Sequence, residues 1–297
     1  MHIEKGQVYG FIGENGAGKT TIIRMLAGLA RPSAGNYELF GVKSYEGSQI
    51  RRVRGKMAAI VESPSIYPNF SAYDNIKLQC GLLGVTDPSV IDRVLSMTGL
   101  SYLRNEKKNA AKFSLGMRQR LGIAMALVGD PEFIILDEPM NGLDPEGIVE
   151  IRELILKLNR ENGITFLISS HILDELQKVA TNYGFIHRGE LVRELTAKEL
   201  SEQCKKSLDI YTSDAGETAK LISEGKLASD FKFLENGGLR IYDEVNINRL
   251  VVFLDGKGIR LEKINSNEGS IEEFYLDMIR KFQRTEGQEQ QGGAQNG

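Results

Sequence analysis

The chain has 297 residues, enough for one large domain and a small one. Its 41% hydrophobic and 26% charged content is ordinary for a globular protein, and a net charge of −3 gives no electrostatic case for a nucleic-acid partner. No apolar run approaches a membrane span, the start lacks the charged and apolar regions of a signal peptide, and Cys80 and Cys204 are too few and too far apart for a metal cluster.

The first element is a buried strand over residues 7–12. Gly13, Glu14, Asn15, Gly16, Ala17, Gly18, Lys19 and Thr20 follow, fitting the G-x-x-x-x-G-K-[ST] phosphate-binding loop. A helix then carries Ile22, Ile23, Leu26 and Leu29 at helical spacing. Strand, glycine loop and helix together are the context the motif requires. Backbone N–H groups turn inward around phosphate oxygens, and the helix start adds partial positive charge. Lys19 would bridge the outer phosphates and Thr20 would hold Mg²⁺, with Thr21 beside it.

A strand ending at Val61 leads into a Pro-rich loop that holds Glu62. Helical signals run from there to residue 130. Ser71 and Asp74 make a capping box, Asp87 and Pro88 start another helix, and Leu78, Leu82, Val90, Ile91, Val94 and Leu95 give apolar faces. Residues 113–120 are Phe, Ser, Leu, Gly, Met, Arg, Gln and Arg, running into an apolar helix that Asp130 and Pro131 stop. Phe133 to Leu136 is an apolar run ending in Asp137 and Glu138, the pattern of a central parallel strand whose carboxyl end meets ligand. Asp137 would orient Mg²⁺, and Glu138 would polarise an attacking water. Asp144 before Pro145 opens a helix that ends near Gly163. A strand from Thr165 then delivers His171, and a helix over 172–180 follows. Two short strands around an Arg-Gly turn and a helix over 196–204 close this domain, residues 1–204, as a mostly parallel α/β sheet.

From Ser207 the order becomes β-α-β-β-α-β-α, a ferredoxin-like α+β domain over 205–283. Its hairpin turns at Asn236, Gly237 and Gly238. Its last helix starts at a Ser270 capping box and carries Ile271, Phe274, Tyr275, Met278, Ile279 and Phe282 as a core stripe. Residues 284–297 are rich in Gln, Gly and Glu and are expected to be disordered.

The segment around Ser114 resembles the L-S-G-G-Q signature of ABC-type ATPases, and it lies in the family's order among the other motifs. Phe113, Leu115 and Met117 depart from the commonest form. The resemblance covers roughly residues 1–195 and is nearest to bacitracin- and lantibiotic-type exporter ATPases. It implies a P-loop NTPase fold with a helical subdomain over about 71–130, binding ATP and Mg²⁺ and hydrolysing ATP. It further implies that Ser114, Gly116 and Met117 contact nucleotide held by a second ATPase subunit. His171 would be the switch histidine at the γ-phosphate, and Asp144 would belong to the intersubunit loop around residues 141–145. Glu62 stands where most relatives have the glutamine that touches Mg²⁺ and couples to the membrane partner. A carboxylate can ligate Mg²⁺ too, while an exposed loop acid is the plainer reading. The implied protein is the ATPase subunit of an exporter for antimicrobial peptides or drugs, working with an integral-membrane permease as a cytoplasmic chain on the inner face of the membrane. The alternatives are a soluble ABC ATPase of translation or repair, and a nucleotide-binding module that does not hydrolyse. Relatives usually carry an adenine-stacking aromatic strand upstream of residue 1, so weak adenine preference is expected, with Tyr9 read as core.

Overall fold

The computed structural model describes residues 1–293 except 235 and 268, and the side chains of 267 and 284–293 lie outside that description. Residues 294–297, part of the segment expected to be disordered, also lie outside it. The chain divides into two compact units, Met1–Ala197 and Lys198–Gly297.

The first unit is built on β1 (Val8–Ile12), β2 (Glu38–Leu39), β3 (Val42–Lys43), β4 (Met57–Ile60), β5 (Phe133–Asp137), β6 (Thr165–Ser170), β7 (Asn182–His187) and β8 (Glu190–Thr196). Six of these form one sheet in the order β4-β5-β6-β1-β7-β8, parallel except for the β7–β8 hairpin. The strands β1, β5 and β6 are buried at every position. That is why they read as continuous apolar runs rather than alternating ones. Strands β2 and β3 make a separate small hairpin.

The helices of this unit are α1 (Lys19–Leu26), α2 (Gly47–Arg54), α3 (Ala72–Leu83), α4 (Ser89–Met97), α5 (Leu115–Ala126), α6 (Pro145–Asn162) and α7 (Leu173–Gln177). Helices α3, α4 and α5 fall between β4 and β5, forming the helical insertion. One core joins Tyr9, Phe11, Ile23, Leu26, Ile135, Leu167 and Ile186 across the sheet and α1. Tyr9 is 1% exposed and its hydroxyl donates to Glu194 Oε1 at 2.6 Å, so its ring is core. Burial first, then that hydrogen bond, pushes its phenol far above the usual tyrosine range.

Two apolar positions read as helix faces lie in solvent. Leu29 is 70% exposed because α1 stops at Leu26 and Gly28 turns the chain at φ 80°. Leu82 is 71% exposed because α3 buries Ala72, Asn75, Ile76 and Cys80 instead, a stripe of mostly small residues on the other side. The helix expected over 172–180 is only α7, with Val179 and Ala180 in the turn that follows.

The second unit contains α8 (Ala197–Gln203), β9 (Ser207–Thr212), α9 (Ala215–Glu224), β10 (Phe231–Phe233), β11 (Leu239–Ile241), α10 (Ile247–Gly256), β12 (Leu261–Asn267) and α11 (Ile271–Gly293). The boundary after Ala197 assigns nearly all of α8 to this unit, where the sequence placed it in the first domain to residue 204. The backbone of α11 is helical through Gly293, across residues 284–293 that composition alone marks as tail. The sheet is antiparallel in the order β10-β11-β9-β12. Leu208, Ile210, Ile222, Leu239, Ile241, Leu250 and Leu254 form its core. Asp214 and Asn246 cap α9 and α10, accepting from Glu217 N and Arg249 N. On α11, Ile271, Tyr275, Met278 and Ile279 are buried.

Candidate functional site

The loop between β1 and α1 is fixed by backbone geometry that favours glycine. A Cβ on Gly13 would lie 2.6 Å from the Ile186 carbonyl oxygen. Gly18 holds φ at 106° at the start of α1, and Gly16 holds 83°. The loop is tied to the β7–β8 turn by Gly189 N–H donating to Ala17 O at 2.8 Å. No side chain caps α1, so the first N–H groups of the helix face outward as donors. Lys19 is 6% exposed, and its ammonium donates to the carbonyls of Gly13 at 2.6 Å and Glu14 at 3.2 Å. Glu14, Asn15 and Gly16 line the exposed rim of the loop, Ala17 is buried, and Thr21 faces out on the first turn. An uncapped helix start beside a buried ammonium is a ready anion site, so the phosphates of ATP fit it.

Below the loop, α1 meets β5. Thr20 Oγ1 donates to Asp137 Oδ2 at 3.0 Å. Asp137 is 3% exposed, and its other oxygen accepts from Ser169 Oγ at 2.5 Å. The register of β5 on β6 puts Asp137 opposite Ser169. Ser169 also accepts from Glu138 N–H, through Oγ at 3.0 Å and its carbonyl at 3.1 Å. Glu138 sits at φ 51°, a left-handed position for a non-glycine residue, where such backbone costs about 1–3 kcal/mol. That turn swings its carboxylate back over the loop. Glu138 Oε1 is 3.5 Å from Lys19 Nζ, and Oε2 is 2.8 Å from His171 Nδ1 and accepts from His171 N–H at 3.3 Å. An ionised carboxylate only accepts, so Nδ1 carries the proton in this pair.

The sequence therefore selected two clusters that the fold joins into one: Thr20 with Asp137, and Lys19 with Glu138 and His171. Glu62 stands apart. It sits at φ 62° and its carboxylate pairs with Arg24 Nη2 at 2.5 Å. Among the described residues, no group of three or more His, Cys, Asp or Glu could hold a metal alone. Mg²⁺ bound with a polyphosphate needs only one or two protein ligands, and Thr20 and Asp137 meet that requirement.

Ser114, Gly116, Met117 and Asp144 form a different surface. Ser114 is exposed and caps α5 by accepting from Met117 N–H at 3.1 Å. Asp144 caps α6 by accepting from Gly147 N–H at 3.0 Å. A Cβ on Gly116 would lie 3.8 Å from Gly147 Cα, and Arg120 pairs with Glu150 at 3.3 Å, so the starts of the two helices form one face.

Ser169, which holds Asp137, and Arg24, the partner of Glu62, are the two residues that sequence reasoning missed. A hydroxyl pair closing an apolar strand was the only signal for Ser169, and nothing local marked Arg24.

Residues 1–141 match the ABC transporter family. The chain is 39% identical to the bacitracin transport ATP-binding protein BcrA of Bacillus licheniformis over 283 residues, covering 94% of this chain and 90% of that protein. It is 45% identical over 195 residues to the lantibiotic transport ATP-binding protein SrtF of Streptococcus pyogenes, covering 65% of this chain and 81% of that protein. Among solved structures it is similar to CbiO1 of Clostridium perfringens, described as part of the ABC transporter complex CbiONQ. The TM-score there is 0.61 at 29% identity, covering 67% of this chain and 81% of that one.

Proposed function

This chain belongs to the ATP-binding subunits of ABC transporters, and from that premise we propose that two copies bind MgATP head to tail and hydrolyse it to drive a separate permease that exports peptide antibiotics. The observation that carries the reading is the convergence of Lys19, Glu138 and His171 beside the Thr20–Asp137 pair. Lys19 and the N–H groups at the start of α1 bind phosphate oxygens. Thr20 and Asp137 would hold Mg²⁺, which when bound would supply positive charge to the phosphates. Glu138 accepts a hydrogen bond from the attacking water and takes its proton. The γ-phosphorus gains that oxygen as its bond to the bridging oxygen breaks, leaving ADP and phosphate. His171 donates from Nδ1 to Glu138, which keeps that carboxylate aimed, and as the imidazolium it would also donate from Nε2 to the γ-phosphate. Glu62, paired with Arg24 here, would join the metal site with nucleotide bound.

Because the Ser114–Gly116–Met117–Asp144 face is built on α5 and α6 and points outward, it suits nucleotide held by a second copy. Among the described residues no helix is long and apolar enough to cross a membrane. A permease partner would therefore supply the spans and hold the subunit at the inner membrane face. The peptide cargo is supported by the named roles of BcrA and SrtF.

Phosphate release by the full chain, alone and with its permease, tests the reading. Glu138→Gln should keep nucleotide binding and lose turnover by at least ~10²-fold. Turnover near that of wild type would remove Glu138 from the chemistry.

A further inference from the structure

One short ion pair takes no part in that chemistry. Arg24 lies one turn beyond Thr20 on α1, so the two side chains share a face of that helix. Strand β4 ends at Ile60, which pairs with Leu136, so the loop carrying Glu62 leaves the sheet beside the strand that ends in Asp137. Each of the three acids in these two segments has its own partner. Asp137 is engaged by Thr20 and Ser169, and Glu138 by Lys19 and His171. Glu62 is engaged by Arg24 at 2.5 Å, from a left-handed backbone position.

We propose that Arg24 is a positioning residue that holds Glu62 off the metal site until Mg²⁺ and nucleotide are bound. This rests on the reading of Glu62 as a late metal-site residue. The same carboxylate then answers to two cations in turn. With the site empty, the guanidinium neutralises the Glu62 carboxylate. A divalent ion placed beside Thr20 and Asp137 repels the guanidinium and attracts the carboxylate, so the pair opens as the site fills. An acid at position 62 adds a charge–charge attraction that an amide accepting from the same guanidinium lacks, modest at this solvent exposure.

The test is a titration of the full chain with Mn²⁺ in the presence of ATP, read by the electron paramagnetic resonance of free Mn²⁺. Amide exchange over residues 61–66, without nucleotide, is the second readout. Arg24→Gln should tighten Mn²⁺ by roughly two- to fivefold, the range of a partly exposed ion pair, and speed exchange in the loop. Arg24→Lys should restore wild-type values in both. In a Glu62→Gln background, Arg24→Gln should change neither. The latch is overturned if Arg24→Gln leaves Mn²⁺ affinity unchanged or weaker, or if its effect persists undiminished without the Glu62 carboxylate. Failure of wild type itself to bind Mn²⁺ with ATP would instead remove the metal–nucleotide reading, and the latch with it.

Discussion

Ser169→Ala isolates the buried support of the candidate site. Ser169 is fully buried, and its hydroxyl is one of two donors to the nearly buried Asp137 carboxylate. A hydrogen bond to a charged group contributes about 1.5–3 kcal/mol, and here the lost partner leaves a charged acceptor short inside the protein. The Glu138 N–H is less affected, because the Ser169 carbonyl still accepts from it at 3.1 Å. For a unit of this size each kcal/mol shifts the melting temperature by about 2–4 °C, so a drop of roughly 3–12 °C is expected. Calorimetry of the full chain should find that drop in the transition that moves with ATP and Mg²⁺. Turnover should fall too, since Asp137 is freed to rotate away from Thr20. Ser169→Cys, with similar volume and a weak donor, should fall between. A melting temperature and turnover of Ser169→Ala indistinguishable from wild type would refute the claim that this hydroxyl holds the acid in place.

Gly122→Ala should destabilise the first unit by about 1–3 kcal/mol, read as lower thermal or urea stability, because the new Cβ would approach Pro64 Cβ to 2.5 Å. Gly116→Asp and Lys19→Ala should each abolish turnover alone, while their mixture should recover part of it, since a mixed dimer keeps one intact site; no recovery at any ratio would count against head-to-tail sharing. Asp243 accepts from Asp230 N–H at 2.8 Å and Ser229 N–H at 2.5 Å, which holds its carboxyl below the usual aspartate range. Its contribution is therefore full above the unfolded value of about 3.9 and is lost as pH falls through the lowered one, so Asp243→Asn should flatten the acid end of the stability–pH curve, measured by urea unfolding from about pH 5 to 2.

What could be read from the sequence was what short spacing encodes. The phosphate loop needs its glycines within eight residues, and the acids Asp137 and Glu138 end an uninterrupted apolar strand. Both features survive without knowing any neighbour. Ser169 becomes visible only through the β5–β6 register, which sets it opposite Asp137 from 32 residues away. Arg24 is one of 37 Lys and Arg residues, and only the turn that brings Glu62 to α1 distinguishes it. The buried stripe of α3 was missed for a different reason. Ala72, Asn75 and Cys80 carry little hydrophobic signal, so the larger Leu82 drew the assignment although it points to solvent.

The position of Pro64 connects the two surfaces of the first unit. It follows Glu62 by two residues, and α5 packs its Gly122 so closely there that no side chain fits between them. Ser114 lies eight residues earlier on the same structure, about 12 Å along the axis at 1.5 Å per residue. Helix α5 therefore runs from the Ser114 cap to a close contact with the loop that carries Glu62. A helix transmits tilt rather than absorbing it, since each turn is held by its own hydrogen bonds. On the proposed reading, a nucleotide engaged at Ser114 would shift the balance between Glu62 on Arg24 and Glu62 at the metal only to the extent that it bound two positions of α5 with different affinity. The ion pair at 2.5 Å and the glycine contact at Pro64 both lie at the inner end of α5, and the Ser114 cap lies at the other.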